Sequence, residues 1–88
     1  MSEPATNDPV ALALRALAAT LGDQRLAERF LSLSGIDAPD LRQRAADPVL
    51  LVALLQFLEA HEPDLVAVAE ETGVKPEALV AARHELEQ

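Results

Sequence analysis

Few side chains in this sequence are equipped for chemistry. There are two histidines, His61 and His84, and no cysteine. His61-Glu62-Pro63-Asp64-Leu65 contains a His–Glu pair. It lacks the second His at the fifth position, which a zinc-binding helix uses to hold the metal from one face. Without thiolates, a metal would depend on carboxylates, and none cluster at ligand spacing. The expectation is no metal and no other cofactor. Ser32 and Ser34 have no base nearby in sequence, and Ser34 before Gly35 reads as helix-end hydrogen bonding. The three glycines, Gly22, Gly35 and Gly73, read as helix terminators and not as a phosphate cradle. Triad-like and paired-carboxylate signals are both missing, so the chain is expected not to be an enzyme.

The arginines offer more. Residues 8–46 hold five Arg and five acids, whereas residues 47–88 hold nine acids against Lys75 and Arg83. With Glu3 the net charge is −8. Arg25 and Arg29 stand one helical turn apart beside Phe30, and Arg42-Gln43-Arg44 follows. A guanidinium matches a carboxylate through two parallel hydrogen bonds. Arg25, Arg29, Arg42 and Arg44, with Phe30 as apolar anchor, are therefore the candidate surface for an acidic protein partner. The converse is an acidic surface that receives a basic partner. In the plainer alternative these Arg pair with Glu28, Asp40 or acids of the second half, and the other acids are solvated.

The elements that must position these residues all read as helices. The first begins at Asp8-Pro9, a capping residue followed by proline at the first helical position. Its apolar set is Val10, Leu14, Leu17 and Leu21, closed by Gly22. The second starts near Asp23, places Leu26, Phe30 and Leu33 on one face, and ends at Gly35. A short third, about residues 38–46, is capped by Asp37 and stapled by Ile36 and Leu41. The fourth, about residues 48–60, repeats the Asp-Pro start. It carries two leucine stripes, so it belongs at the centre, covered on both sides, with His61 in its last turn. The fifth shows Leu65, Val68, Ala69 and Thr72 and ends at Gly73; the sixth starts at Pro76 with Leu79, Ala82 and Leu86. Asp8-Pro9-Val10 recurs as Asp47-Pro48-Val49 and Gly35-Ile36 as Gly73-Val74, a pattern that also reads as a duplicated three-helix unit.

The predicted fold is all-α: a compact bundle of five or six short helices around the buried fourth, a single helical domain over residues 8–88 after a disordered leader, residues 1–7. Leu, Val, Ile and Phe make 26 of the 88 residues, above the ~20% below which chains stay disordered. A core this small contributes roughly 3–5 kcal/mol net, and the chain is expected to be a monomer or weak homodimer. The start of the chain lacks the basic and apolar regions of a signal peptide. The longest apolar run, Val49–Leu55, is far short of the ~20 residues of a membrane span. A cytoplasmic location and no membrane partner are expected.

Arg29-Phe30-Leu31-Ser32-Leu33-Ser34-Gly35-Ile36, followed by Leu41-Arg42, resembles the signature of a small alphaproteobacterial helical family, Domain of Unknown Function 3572. Leu50-Leu51, Leu55-Gln56-Phe57-Leu58, Glu62, Leu65, Gly73, Pro76 and Ala82-Arg83 look like its later part, with Leu50 where the family usually has phenylalanine-like bulk. The resemblance implies a small helical cytoplasmic protein with no assigned activity and no assigned site residues.

The expected function is that of a noncatalytic cytoplasmic protein-protein interaction or accessory module. The alternative is a helix-turn-helix nucleic-acid-binding regulator. Val68–Leu79 has the helix-turn-helix pattern, with Ala on the first helix, Gly in the turn and an apolar residue after it. Those are packing requirements, and its second helix carries Glu77, Glu85 and Glu87. The helix at about residues 38–46, with Arg42, Gln43 and Arg44, is better suited to reach base edges. The acidic balance argues against nucleic acid as the partner.

Overall fold

Asp8-Pro9 and Asp47-Pro48 open two helices in the same way. In the computed structural model, which describes residues 8–88, each Asp is extended and its carboxylate accepts from the backbone N–H two residues on, at 3.0 and 2.9 Å. Each proline follows where a missing N–H costs nothing. The helices are α1 (Pro9–Leu21), α2 (Gln24–Ser34), α3 (Ala38–Gln43), α4 (Pro48–Glu59), α5 (Glu62–Thr72) and α6 (Pro76–Leu86). No strand occurs among the described residues. The leader expected over residues 1–7 lies outside them.

As the two leucine stripes of α4 require, Leu50, Leu51, Leu54, Leu55 and Leu58 are all buried to 2% exposure or less. They are enclosed by α1, α5 and α6, with α2 against one end. The same helices also surround α1, so α1 and α4 together form the centre. The face that α1 buries differs from the expected Val10, Leu14, Leu17 and Leu21. It consists of Leu12, Ala13, Ala16, Leu17 and Thr20, while Val10 and Leu14 are half-buried and Leu21 is exposed. The small residues decide the matter. Ala13 and Ala16 have only a methyl group to hold neighbouring helices away, and both reach 0% exposure. Thr20 joins them because its hydroxyl donates to the Ala16 carbonyl at 2.8 Å, satisfying the polar group.

Two further expectations are corrected. Leu26 and Phe30 of α2 are buried, but Leu33 is 74% exposed: Leu31 is the residue of the last turn that packs on the core, and Leu33 stands over an open cleft beside α4. The third helix stops at Gln43: residues 44–46 turn, and the Asp47 N–H donates to the Arg44 carbonyl so that the chain can enter α4. Both staples form, with Leu41 and Leu79 buried and Ile36 and Val74 packed on the core. The likeness between the halves lies in their punctuation. Gly35 and Gly73 end α2 and α5 at φ of 73° and 77°, but α3 has 6 residues where α6 has 11.

These burial patterns set stability differences measurable by urea unfolding. Leu54→Ala should cost about 2–5 kcal/mol, and Val49→Ala, at a position 71% exposed, less than about 0.5 kcal/mol. Gly35→Ala meets no atom within 4 Å yet should cost roughly 1–2 kcal/mol for its left-handed backbone. A Leu54→Ala protein as stable as the parent would refute this packing.

Candidate functional site

Asp64 is the one acidic side chain taken into the interior among the described residues, at 3% exposure. It occupies the third position of α5, where the unpaired N–H groups of the first turn favour a carboxylate. Its Oδ2 accepts from Arg29 Nη1 of α2 at 2.8 Å and from His61 Nδ1 at 2.9 Å. Burial on its own would raise the Asp64 pKa. The hydrogen bonds from His61 and Arg29, reinforced by their charges, outweigh it and hold the carboxyl below its ordinary value of 3.8. The guanidinium of Arg29 also lies over the Phe57 ring, 5.3 Å from its centre. Phe57 in turn meets Phe30 at 5.3 Å and 58°, a tilted arrangement favoured by the ring quadrupoles.

His61 is therefore not in the last turn of α4. That helix ends at Glu59, and His61 is the extended residue before α5, at φ −141° and ψ 98°. The chain must break there for Pro63 to fall in the first turn of α5, where proline is accommodated. In place of a dipole contact at a helix end, His61 makes a side-chain bond across the start of the next helix. His84 is exposed on α6. Ser34 does take part in helix-end bonding: its hydroxyl donates to the Leu31 carbonyl and accepts from the Ile36 N–H. No three His, Asp or Glu side chains stand together as a metal site among the described residues.

The candidate partner-binding residues separate. Phe30 is 2% exposed and belongs to the core, so only its edge reaches a cleft between α2 and α4. Arg29 is bound to Asp64, an acid of the second half of the chain. Arg25 and Arg42 are exposed, each without an ion pair among the described residues, and Arg44 stands 3.9 Å from Asp47. What lies beside Arg29 is apolar. Leu33, Ala53, Phe57 and Ala60, with Phe30, Ser34 and Gln56, line a shallow cleft of about 290 Å³ between α2 and α4. On α4 it continues an outward row, Val49, Val52, Ala53, Gln56 and Phe57, set apart from the buried leucines. Arg25, Arg29 and Leu33 follow one another at intervals of four on α2, so the cleft lies at the end of the arginine row.

Sequence reasoning passed over Asp64, Arg15 and this outward row. The row was legible as a third helical stripe on α4. The place of Asp64, three residues beyond a helix start, was a partial signal. Nothing in the sequence linked it to Arg29, 35 residues earlier. Arg15 of α1 donates to the carbonyl of Thr72, 57 residues away, and brings a positive charge to the negative end of α5.

The geometry defines a small helical bundle in which arginines tie helices together, with an apolar cleft open on one side. The chain belongs to a family described as a protein of unknown function, DUF3572, whose profile matches residues 6–88. No curated protein and no solved structure matches it. No helix of the described residues is long and apolar enough to cross a membrane.

Because the Asp64 pKa is lowered in the folded state, its bonds stabilise the protein above the unfolded aspartate value. That contribution is lost as pH falls through the folded value, below about 3.9. Asp64→Asn should flatten this acid limb in urea midpoints measured from pH 2 to 7. Arg29→Ala at neutral pH should cost about 1–3 kcal/mol, because a buried carboxylate loses a charged donor. An unchanged acid limb in Asp64→Asn would place the titration elsewhere.

Proposed function

We propose that this chain is a small noncatalytic cytoplasmic interaction module that needs no cofactor and receives an acidic, partly apolar segment of a protein partner on its α2–α4 face. The observation that carries the reading is Leu33, 74% exposed beside the Phe57 cleft, at the end of a row that begins with the unpaired Arg25. A large apolar side chain in solvent, next to a pocket whose Phe57 wall carries the Arg29 guanidinium, is the composition of a docking surface. Arg29 supports the reading as a positioning residue, since its bond to Asp64 and its stacking on Phe57 fix the cleft wall. In place of Phe30, Leu33 and Phe57 serve as the apolar anchors.

The nucleic-acid reading rests on Arg42, Gln43 and Arg44. All three are exposed, but α3 has only 6 residues, a rise of about 9 Å, and the acidic charge of the chain opposes phosphate. It stands second. A low-salt mobility shift that disappears on Arg42→Ala with Arg44→Ala would favour it; no shift would remove it.

The interaction reading is tested by capture from native cytosol with the parent chain, Leu33→Asp and Arg25→Glu. Both variants should keep the parent's urea midpoint and recover at least about tenfold less of a defined partner. That partner, purified, should shift backbone amide resonances along α2 and α4. Equal recovery by parent and Leu33→Asp would overturn the assignment of this face.

A further inference from the structure

The corner where α1 passes into α2 faces the middle of α5 across a groove of about 530 Å³. Ala18, Ala19 and Ala67 form its accessible apolar floor over the buried Leu26 and Val68, Gly22 and Gln24 complete the lining, and Asp23 and Glu71 stand on its two sides. Ala67 also lines a second hollow along α5, where Val66 is exposed between Glu62 and Glu70. Glu62, Val66 and Glu70 recur at intervals of four, as do Ala67 and Glu71, so an apolar strip on α5 runs between carboxylates. None of Glu62, Glu70 and Glu71 is in an ion pair among the described residues; Asp23, which caps α2 by accepting from the Arg25 and Leu26 N–H groups, has no cationic side chain on it either, and no cation lines either hollow. Elsewhere this protein pairs Arg29, Arg44 and Arg83 with acids, so the uncompensated row is local.

We propose that this groove binds a cationic amphipathic helix of a protein partner, its apolar side chains on the alanine floor and its Lys or Arg side chains against Glu62, Glu70, Glu71 and Asp23. Alanines on the floor let a helix approach closely, and an amphipathic helix in a groove is a common recognition mode. Long cationic side chains can lay their stems on Ala67 and Val66 and carry the charge to the carboxylate rim. Charge complementarity selects this occupant. A second copy brings the same net charge of −8, and an anionic lipid surface would be repelled. The proposal is independent of the α2–α4 reading, because the two surfaces share no lining residue.

The test uses a synthetic helical peptide of Leu and Lys, about 16 residues long, with its leucines on one stripe, and a control of the same composition with the stripe scrambled. Binding to the full chain is followed by fluorescence anisotropy and by amide shifts. The striped peptide should bind saturably at one per chain and shift residues around 18–26 and 62–71. Affinity should fall about tenfold or more for the scrambled peptide, for Glu70→Gln with Glu71→Gln, and for Ala67→Trp, which fills the groove from an exposed position. Raising salt from about 0.05 to 0.5 M should weaken binding comparably. Unchanged urea midpoints establish that the variants fold. The proposal is overturned by no binding at low salt, by equal binding of the scrambled peptide, or by shifts spread over all acidic surfaces. It is also overturned if the free chain sediments as a dimer that Ala67→Trp dissociates, since a second copy would then be the occupant.

Discussion

The structure depends on how closely α1 and α4 can approach. Leucine supplies the volume, from five positions on α4, and alanine supplies the access, from Ala13 and Ala16 on α1. A chain with two aromatic residues has few large side chains with which to fill space between helices. Its core must close by bringing backbones together. Close packing makes such a core sensitive to volume in both directions: a larger side chain at Ala13 or Ala16 would push neighbouring helices off α1, and a smaller one on α4 would leave a void. The exposed residues of α4 exist for the same reason. With leucines consumed on the inner side and neighbours on the flanks, Val49, Val52 and Phe57 have nothing left to pack against fully.

Arginine joins what apolar packing leaves loose. Arg15 connects α1 to the end of α5, Arg29 connects α2 to the start of α5, and Arg83 connects α6 to Glu59 at the end of α4. Each bond is made at a helix end or edge, where core contacts thin out. They are not equal in effect. Arg83 is bonded to Glu59 and then to Glu87, which together hold its proton even more firmly than usual, but surface pairs of this kind contribute little individually. The Arg29 bond reaches a buried carboxylate, and removal of Arg29 leaves that carboxylate in the interior with His61 as its remaining side-chain partner. The side-chain polar atoms that are fully buried among the described residues all have partners, so this one strap is part of a complete account of interior polarity.

Most of the fold could be read from the sequence, because its signals are local. Asp-Pro starts, glycine stops and the two stripes of α4 are properties of neighbouring residues, and they place all six helices closely. The errors share one physical origin. The stripe on α1 was judged by its larger apolar residues, Val10, Leu14, Leu17 and Leu21, although alanine decides how near a neighbour can come, and the buried face includes Ala13 and Ala16. Leu33 continues the α2 periodicity, but periodicity cannot tell that α4 approaches it too loosely to close the cleft between them. The candidate site was legible in its residues more than in its arrangement. Arg25 and Arg29 were visible as a pair, whereas the bond of Arg29 to Asp64 depends on a tertiary approach across 35 positions. Asp64 and His61 took on meaning only when α5 began one residue after His61.

The uneven division of charge also has a structural expression. The first half of the chain is neutral and the second strongly acidic, yet the halves are interleaved, since α1 packs on α4, α5 and α6. Two of the arginines that cross from the first half, Arg15 and Arg29, both end on α5. This leaves α5 held by cations at its two ends, while Glu62 in its first turn and Glu70 and Glu71 in its last make no ion pair among the described residues. Its inner side, with Leu65, Val68, Ala69 and Thr72, is buried. A helix fixed at both termini and anchored along one side presents its outer carboxylates with little freedom to rearrange. Side chains held on a rigid element lose less entropy on binding than those on a loop, and that is the property a recognition surface on so small a bundle requires.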